Sequence, residues 1–219
     1  MERGAQDWLD QVVGHLDAPM TPDTPLRMAA NGILLADLFN TVQLAASGAQ
    51  ISVTSLANDA AGLPQTVRRR DILNAYPYTN TLTVLQITGA VLRRAMERSA
   101  EYFTRRADGM LDISDAFLKP KVEHYNYDYY AGVHYVFDCS RPVGSRVTEL
   151  SVNGRPVADG DIFPACLSSY RASGTGGYDF YVGCPVVREI GTEMADLILD
   201  CFKEFKGNIP AMQSDFRVI

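Results

Sequence analysis

Residues 75–103 read AYPYTNTLTVLQITGAVLRRAMERSAEYF. Thr81–Ile87 is rich in β-branched residues, which suit a pleated, half-buried strand. From Gly89 the period changes. Val91, Leu92, Ala95, Met96 and Ser99 recur at helical spacing, with Arg93, Arg94, Glu97 and Arg98 on the opposite face. A strand therefore runs straight into an amphipathic helix over Gly89–Phe103. The polar, irregular residues 104–124 that follow contain no second strand at βαβ spacing.

Toward the N-terminus, Trp8, Leu9, Val12, Val13 and Leu16 predict a short helix over residues 5–17, followed by a connector with Pro19, Pro22 and Pro25. Residues 26–46 predict one long helix that Ser47-Gly48 stops. Ala49–Leu56 reads as a strand and Arg69–Ala75 as a short helix. Toward the C-terminus strands dominate. Gly132–Asp138 alternates, and Val147–Val152 and Arg155–Val157 flank Asn153-Gly154, a strong two-residue hairpin turn. Asp161–Leu167 is a further strand, Ser173–Gly177 a Gly-rich loop, Ile190–Phe205 a helix and Asp215–Ile219 a final strand. Helices and strands mix without regular alternation, which predicts an α+β fold: a mixed β-sheet core with packed helices.

The chain has 219 residues, 47% hydrophobic and 21% charged, enough for one domain with a sizeable core. A net charge of −6 argues against a broad surface for a nucleic-acid polymer. No segment approaches the roughly 20 apolar residues of a membrane span. The first residues carry charge throughout and lack the apolar core of a signal peptide. Cys139, Cys166, Cys184 and Cys201 show no CxxC spacing. They read as small buried hydrophobes, with one or two disulfides open to an exported protein.

Catalytic signatures are missing. The histidines are His15, His124 and His134, with no HxH, DxH or HExxH, no GxSxG elbow and no GxxxxGK[ST] loop. We assign no catalytic residue, no metal ligand and no bound cofactor to this chain. Binding chemistry is present instead. Tyr76-Pro77-Tyr78-Thr79-Asn80 precedes a strand, and Ser168-Ser169-Tyr170-Arg171 with Gly174, Gly176 and Gly177 follows one. Loops on a rigid sheet are common ligand platforms. Two tyrosines across a gap can sandwich a flat base, and a Gly-rich turn lets backbone N–H groups approach a ribose or phosphate. Tyrosines also suit strands and glycines also suit turns. The run Tyr125–Gly132 suits a pocket or a strand edge equally.

The ordered blocks YPYTNTLTVLQITG (76–89), RRAMERSAEYF (93–103), HYNYDYYAGVHYVFD (124–138), SRPVGSRVTEL (140–150), NGRPVADGDIF (153–163) and SSYRASGTGGY (168–178) resemble the C-terminal domain of the 5′-nucleotidase superfamily. They are most similar to its 2′,3′-cyclic-nucleotide 2′-phosphodiesterase/3′-nucleotidase branch. The resemblance implies a nucleoside- or nucleotide-binding domain of an exported enzyme, extracellular, periplasmic or cell-wall associated. The partner it implies is an N-terminal calcineurin-like phosphoesterase domain that holds two divalent metals and performs hydrolysis. It further implies that Tyr78 and Tyr170 clamp the base, with Asn80, Arg171, Gly174, Gly176, Gly177 and Asn58 as substrate contacts. Arg171 either enters the cleft or packs beside it.

Two departures stand out. The family's Asn-Gly-Gly-Gly-Ile-Arg turn is here Asn58-Asp59-Ala60-Ala61-Gly62-Leu63-Pro64, and its Gly-Gly-Asp-Gly is Gly174-Thr175-Gly176-Gly177. Loss of that Asp suits a substrate with phosphate on its 2′ or 3′ oxygen. Val12–Leu16 resembles the strand that enters this domain. Residues 1–14 are expected to be the tail of an interdomain linker, residues 15–219 the domain, and Met1 to stand inside a longer native chain. The competing expectation is a stand-alone, catalytically inert nucleotide-binding or interaction module.

Overall fold

The computed structural model describes residues 2–205 and 214–219. In chain order its elements are α1 (Glu2–Leu9), β1 (Val12–His15), α2 (Pro25–Asn31), α3 (Leu34–Ser47), β2 (Ile51–Thr54), β3 (Thr66–Arg68), α4 (Arg69–Ala75), β4 (Leu82–Thr88), α5 (Gly89–Ala100), β5 (Phe103–Arg105), β6 (Leu111–Ile113), β7 (Tyr129–Ala131), β8 (His134–Phe137), β9 (Val147–Val152), β10 (Arg155–Pro156), β11 (Ile162–Ser168), α6 (Ser169–Ala172), β12 (Val186–Ile190), α7 (Met194–Phe205) and β13 (Asp215–Val218). This is the α+β class that the sequence predicts.

A five-stranded mixed sheet runs β12-β4-β11-β2-β7 and a four-stranded one β10-β9-β8-β13. β11 pairs antiparallel with β4 over its whole length and parallel with β2. β13 runs parallel to β8. α3 packs across the larger sheet, and α5 bridges β4 to β9 of the smaller one. A buried polar cluster ties α3 to β2 and β7. Gln43 Nε2 donates to Ser52 Oγ at 2.6 Å, Ser52 Oγ to Asn40 Oδ1 at 2.8 Å, and Asn40 Nδ2 to the Tyr129 carbonyl at 3.3 Å. Each buried polar group is thereby partly or wholly satisfied, as a close-packed interior requires.

Several expectations differ, beginning with residues 104–124, read as irregular, which carry most of the antiparallel pair β5–β6. The helix expected over 26–46 is two helices, broken at Gly32, whose φ of +80° is open to glycine but strained for other residues. A Cβ there would also sit 3.3 Å from the Phe216 ring. The helix expected over 5–17 stops at Leu9, and Val12–His15 pairs with Thr66–Arg68 instead. Arg69 over the Trp8 ring at 4.8 Å and an Arg70–Asp10 ion pair of 2.8 Å hold α1 against α4. The helix expected over 190–205 begins only at Met194, after an exposed edge strand, β12. The Asn153-Gly154 hairpin forms as expected between β9 and β10.

Candidate nucleotide-binding cleft

The candidate site follows from the pairing of β4 with β11. Ser168, the last residue of β11, lies opposite Leu82, the first of β4. The segment entering β4 and the turn leaving β11 therefore emerge at the same end of neighbouring strands. Two hydrogen bonds tie them together: Ser169 N–H donates to the Thr81 carbonyl at 2.8 Å, and Thr81 N–H to Ser169 Oγ at 3.3 Å. Ser168 Oγ accepts the Arg171 N–H at 3.2 Å and caps α6. Both serines thus shape the start of α6, the short helix that presents Tyr170.

Tyr78 and Tyr170 line one cavity of about 320 Å³, together with Asn80, Lys121 and Tyr125. Tyr170 remains 37% exposed. Tyr78 rests on the buried ring of Tyr76, edge to face, with centroids 5.8 Å apart, and Tyr76 rests likewise on Phe39 at 5.3 Å. Such edge-on aromatic contacts are favourable and restrict where the upper ring can go. Burial pushes the Tyr76 hydroxyl up to about 12, and a hydrogen bond from Asn80 works in the opposite direction. The Asn80 carbonyl accepts the Met194 N–H at 2.9 Å, which anchors the segment to the start of α7.

The other residues of the predicted site lie around this cavity rather than in its lining. Arg171 is buried under the loop. Its guanidinium reaches Asp128 through Nε and Nη2, Asn126 and the Thr175 carbonyl through Nη1, and the Tyr125 carbonyl through Nη2. A guanidinium has five N–H donors, and these contacts take up all of them. It also lies 4.0 Å from the centroid of the Tyr178 ring. In this arrangement Arg171 supports the loop and has no donor left for a ligand.

Gly176 packs inward, where a Cβ would fall 2.2 Å from Asn126 Oδ1 and 2.5 Å from Arg171 Nη1. Gly177 backs onto Arg98, and Gly174 onto Val182 and Asp179. The small residues therefore serve the packing of the loop on the body of the domain. Asn58 donates from Nδ2 to the Val122 carbonyl at 2.9 Å and accepts the Tyr125 N–H at 3.4 Å. It holds the segment that carries Lys121 and Tyr125 beside the cleft.

Lys121 is a lining residue that sequence reasoning missed, and Tyr125 one that it left undecided between pocket and strand edge. Lys121 falls within the stretch read as an irregular excursion. Tyr125 belongs to a tyrosine-rich run whose next members, Tyr127, Tyr129 and Tyr130, are buried in the core. The polar neighbours Lys121, Glu123 and His124 are the sequence signal that separates Tyr125 from that run.

Among the described residues the cleft lining carries no histidine, cysteine or carboxylate. The three histidines are dispersed: His15 beside Thr66, His124 on the Tyr102 hydroxyl, and His134 between Glu149 and Asp215. Among the described residues no three His, Cys, Asp or Glu side chains gather as a metal site. The four cysteines are unpaired. Burial raises every thiol above its ordinary value, to about 11 for Cys166 and Cys201, so none is an activated thiolate. No helix among the described residues is long and apolar enough to cross a membrane.

The profile of the family described as 5′-nucleotidase, C-terminal domain, matches residues 12–183. The chain belongs to that family. A solved structure of a putative 5′-nucleotidase from Staphylococcus aureus superposes with a TM-score of 0.92 at 37% identity, covering 99% of this chain and 42% of that one. The trifunctional nucleotide phosphoesterase protein YfkN of Bacillus subtilis is 26% identical over 68% of this chain and 11% of its own length. A 2′,3′-cyclic-nucleotide 2′-phosphodiesterase/3′-nucleotidase of Haemophilus influenzae is 28% identical over 58% of this chain and 22% of its own length. The chain thus spans between a tenth and a quarter of these curated relatives, which are nucleotide-hydrolysing enzymes by name.

Proposed function

We propose that this 5′-nucleotidase C-terminal domain binds the nucleoside part of a nucleotide by stacking its base between Tyr78 and Tyr170. The parent enzyme is a metal-dependent phosphoesterase that hydrolyses 2′,3′-cyclic nucleotides and 3′- or 5′-nucleotides in nucleotide catabolism. Its two divalent metals belong to the N-terminal phosphoesterase domain. The observation that carries the reading is the shared cavity of Tyr78 and Tyr170, built by two loops hydrogen-bonded across β4 and β11. Stacking on a tyrosine is worth about 1–3 kcal/mol per base and tolerates different bases. That fits a domain that supplies affinity while another supplies chemistry. Under the same reading the parent enzyme is exported, to the periplasm, the cell wall or the medium.

Titration of the ¹⁵N-labelled chain with adenosine tests the clamp. Amide shifts centred on residues 76–81 and 168–178 are expected. Shifts confined to another face would remove the assignment. A parallel assay with Mn²⁺, Co²⁺ or Zn²⁺ should show no turnover of 2′,3′-cyclic AMP by this chain alone.

A further inference from the structure

Among the described residues one cationic side chain lines the cavity, that of Lys121, and no carboxylate does. Lys119, two positions earlier, is paired with Asp115 at 2.7 Å, whereas Lys121 forms no ion pair in contact among the described residues and feels Glu123 only through space. Its Nζ donates to the Tyr125 hydroxyl at 3.1 Å and lies 5.4 Å from the centroid of that ring. The Tyr125 hydroxyl in turn donates to Glu123 Oε1 at 3.1 Å, and Glu123 Oε2 accepts from Asn126 Nδ2 at 3.0 Å. Glu123 is thereby turned to Tyr125 and Asn126, and Tyr125 offers its oxygen lone pair to the ammonium. An ammonium has three donors, so two remain open beside the cleft. The lining as a whole is three phenols, an amide and an ammonium. That set complements a flat ring bearing an anionic substituent.

We propose that Lys121, oriented by Tyr125, makes this cavity favour nucleosides carrying a phosphate ester over uncharged nucleosides without help from any metal, a step that rests on the clamp reading above. Lys121 is exposed, so the gain is that of a surface ion pair: about two- to five-fold in affinity. It should weaken as salt screens the charges. The hydrogen bond to Tyr125 favours the charged ammonium and raises the Lys121 pKa, keeping the donor protonated at neutral pH.

The test titrates adenosine, 3′-AMP and 2′,3′-cyclic AMP into the wild-type chain, Lys121→Met and Lys121→Arg, at about 20 and about 300 mM salt. The wild type should bind both nucleotides about two- to five-fold more tightly than adenosine at low salt, and less selectively at high salt. Lys121→Met should lose the preference, its affinities for the nucleotides falling to that for adenosine measured on the same variant, and Lys121→Arg should keep it. Adenosine binding with no added affinity for the phosphate esters, or a preference that survives in Lys121→Met, overturns the assignment of Lys121 and leaves the clamp standing. If adenosine moves no resonance of the cleft, the clamp fails and this assignment falls with it.

Discussion

Arg171 Nη2 lies 2.8 Å from Asp128 Oδ1, and the two side chains are only 3% and 1% exposed. Burial works against the charge on Arg171, but Asp128 beside it more than offsets this, and the guanidinium stays protonated. Removing Asp128 leaves the Arg171 guanidinium charged and buried without its partner. Asp128→Ala should therefore cost about 3–5 kcal/mol of stability, measured by urea unfolding. Arg171→Lys should fare little better, because three donors cannot replace a planar fork that reaches Asp128, Asn126, Thr175 and Tyr125. A variant of near wild-type stability at either position would show that the pair does not organise the loop.

Tyr170 and Tyr78 should behave differently. Tyr170 is partly exposed, so Tyr170→Ala should leave the unfolding midpoint almost unchanged and cost about 1–3 kcal/mol of nucleoside binding. Tyr78 also packs on Tyr76, so Tyr78→Ala should lose binding and some stability together. Calorimetric titration with denaturation of the same samples separates the two quantities. Unchanged nucleoside affinity in both variants would remove the clamp.

Much of this architecture was legible in the sequence. The strand-to-helix switch at Gly89 and the Asn153-Gly154 hairpin follow from period and turn chemistry, whereas Tyr170, read as a loop residue, sits on the one-turn helix α6. What the sequence hid depends on pairing between distant segments. By period Val12–His15 reads as helix, and only the family resemblance marks it as a strand; Thr66–Arg68 supplies the hydrogen bonds that make it one. Arg171 reads as either entering the cleft or packing beside it until Asp128, far away in sequence, arrives beneath it. Lys121 reads as a solvated charge until Asn58 pins its segment to the cleft.

His134 links three strands. Its Nδ1 lies 2.9 Å from Asp215 of β13 and its Nε2 3.3 Å from Glu149 of β9, while Arg217 shares Glu149 at 3.5 Å. The hydrogen bond with Asp215 leads in raising the His134 pKa above its ordinary 6.5, partly opposed by burial. A raised histidine pKa gives stability that is full below the unfolded value and is lost as pH rises through the folded value. β13 should therefore be held best in mild acid and loosen above 6.5. The effect should be small, since the carboxylates are exposed. Amide exchange of residues 215–218, compared at about pH 5.5 and about pH 8 after correction for intrinsic rates, measures it. His134→Gln should abolish the difference between the two conditions.

Gly176 offers the most local test of how the loop is built. Its φ is +80°, and a Cβ would collide with Asn126 Oδ1 at 2.2 Å and with Arg171 Nη1 at 2.5 Å. Both of those atoms belong to the buried network around Asp128, so neither can swing away into solvent. Gly176→Ala should thus combine left-handed backbone strain with displacement of Arg171, and cost about 1–3 kcal/mol or more. The loss should reach the cleft as well, because Arg171 also holds the Tyr125 carbonyl at 3.1 Å. Resonances of Tyr125 and Tyr170 should shift in this variant even without ligand. A Gly176→Ala protein of unchanged stability and unchanged cleft resonances would show that the loop accommodates the methyl group independently of the Arg171 network.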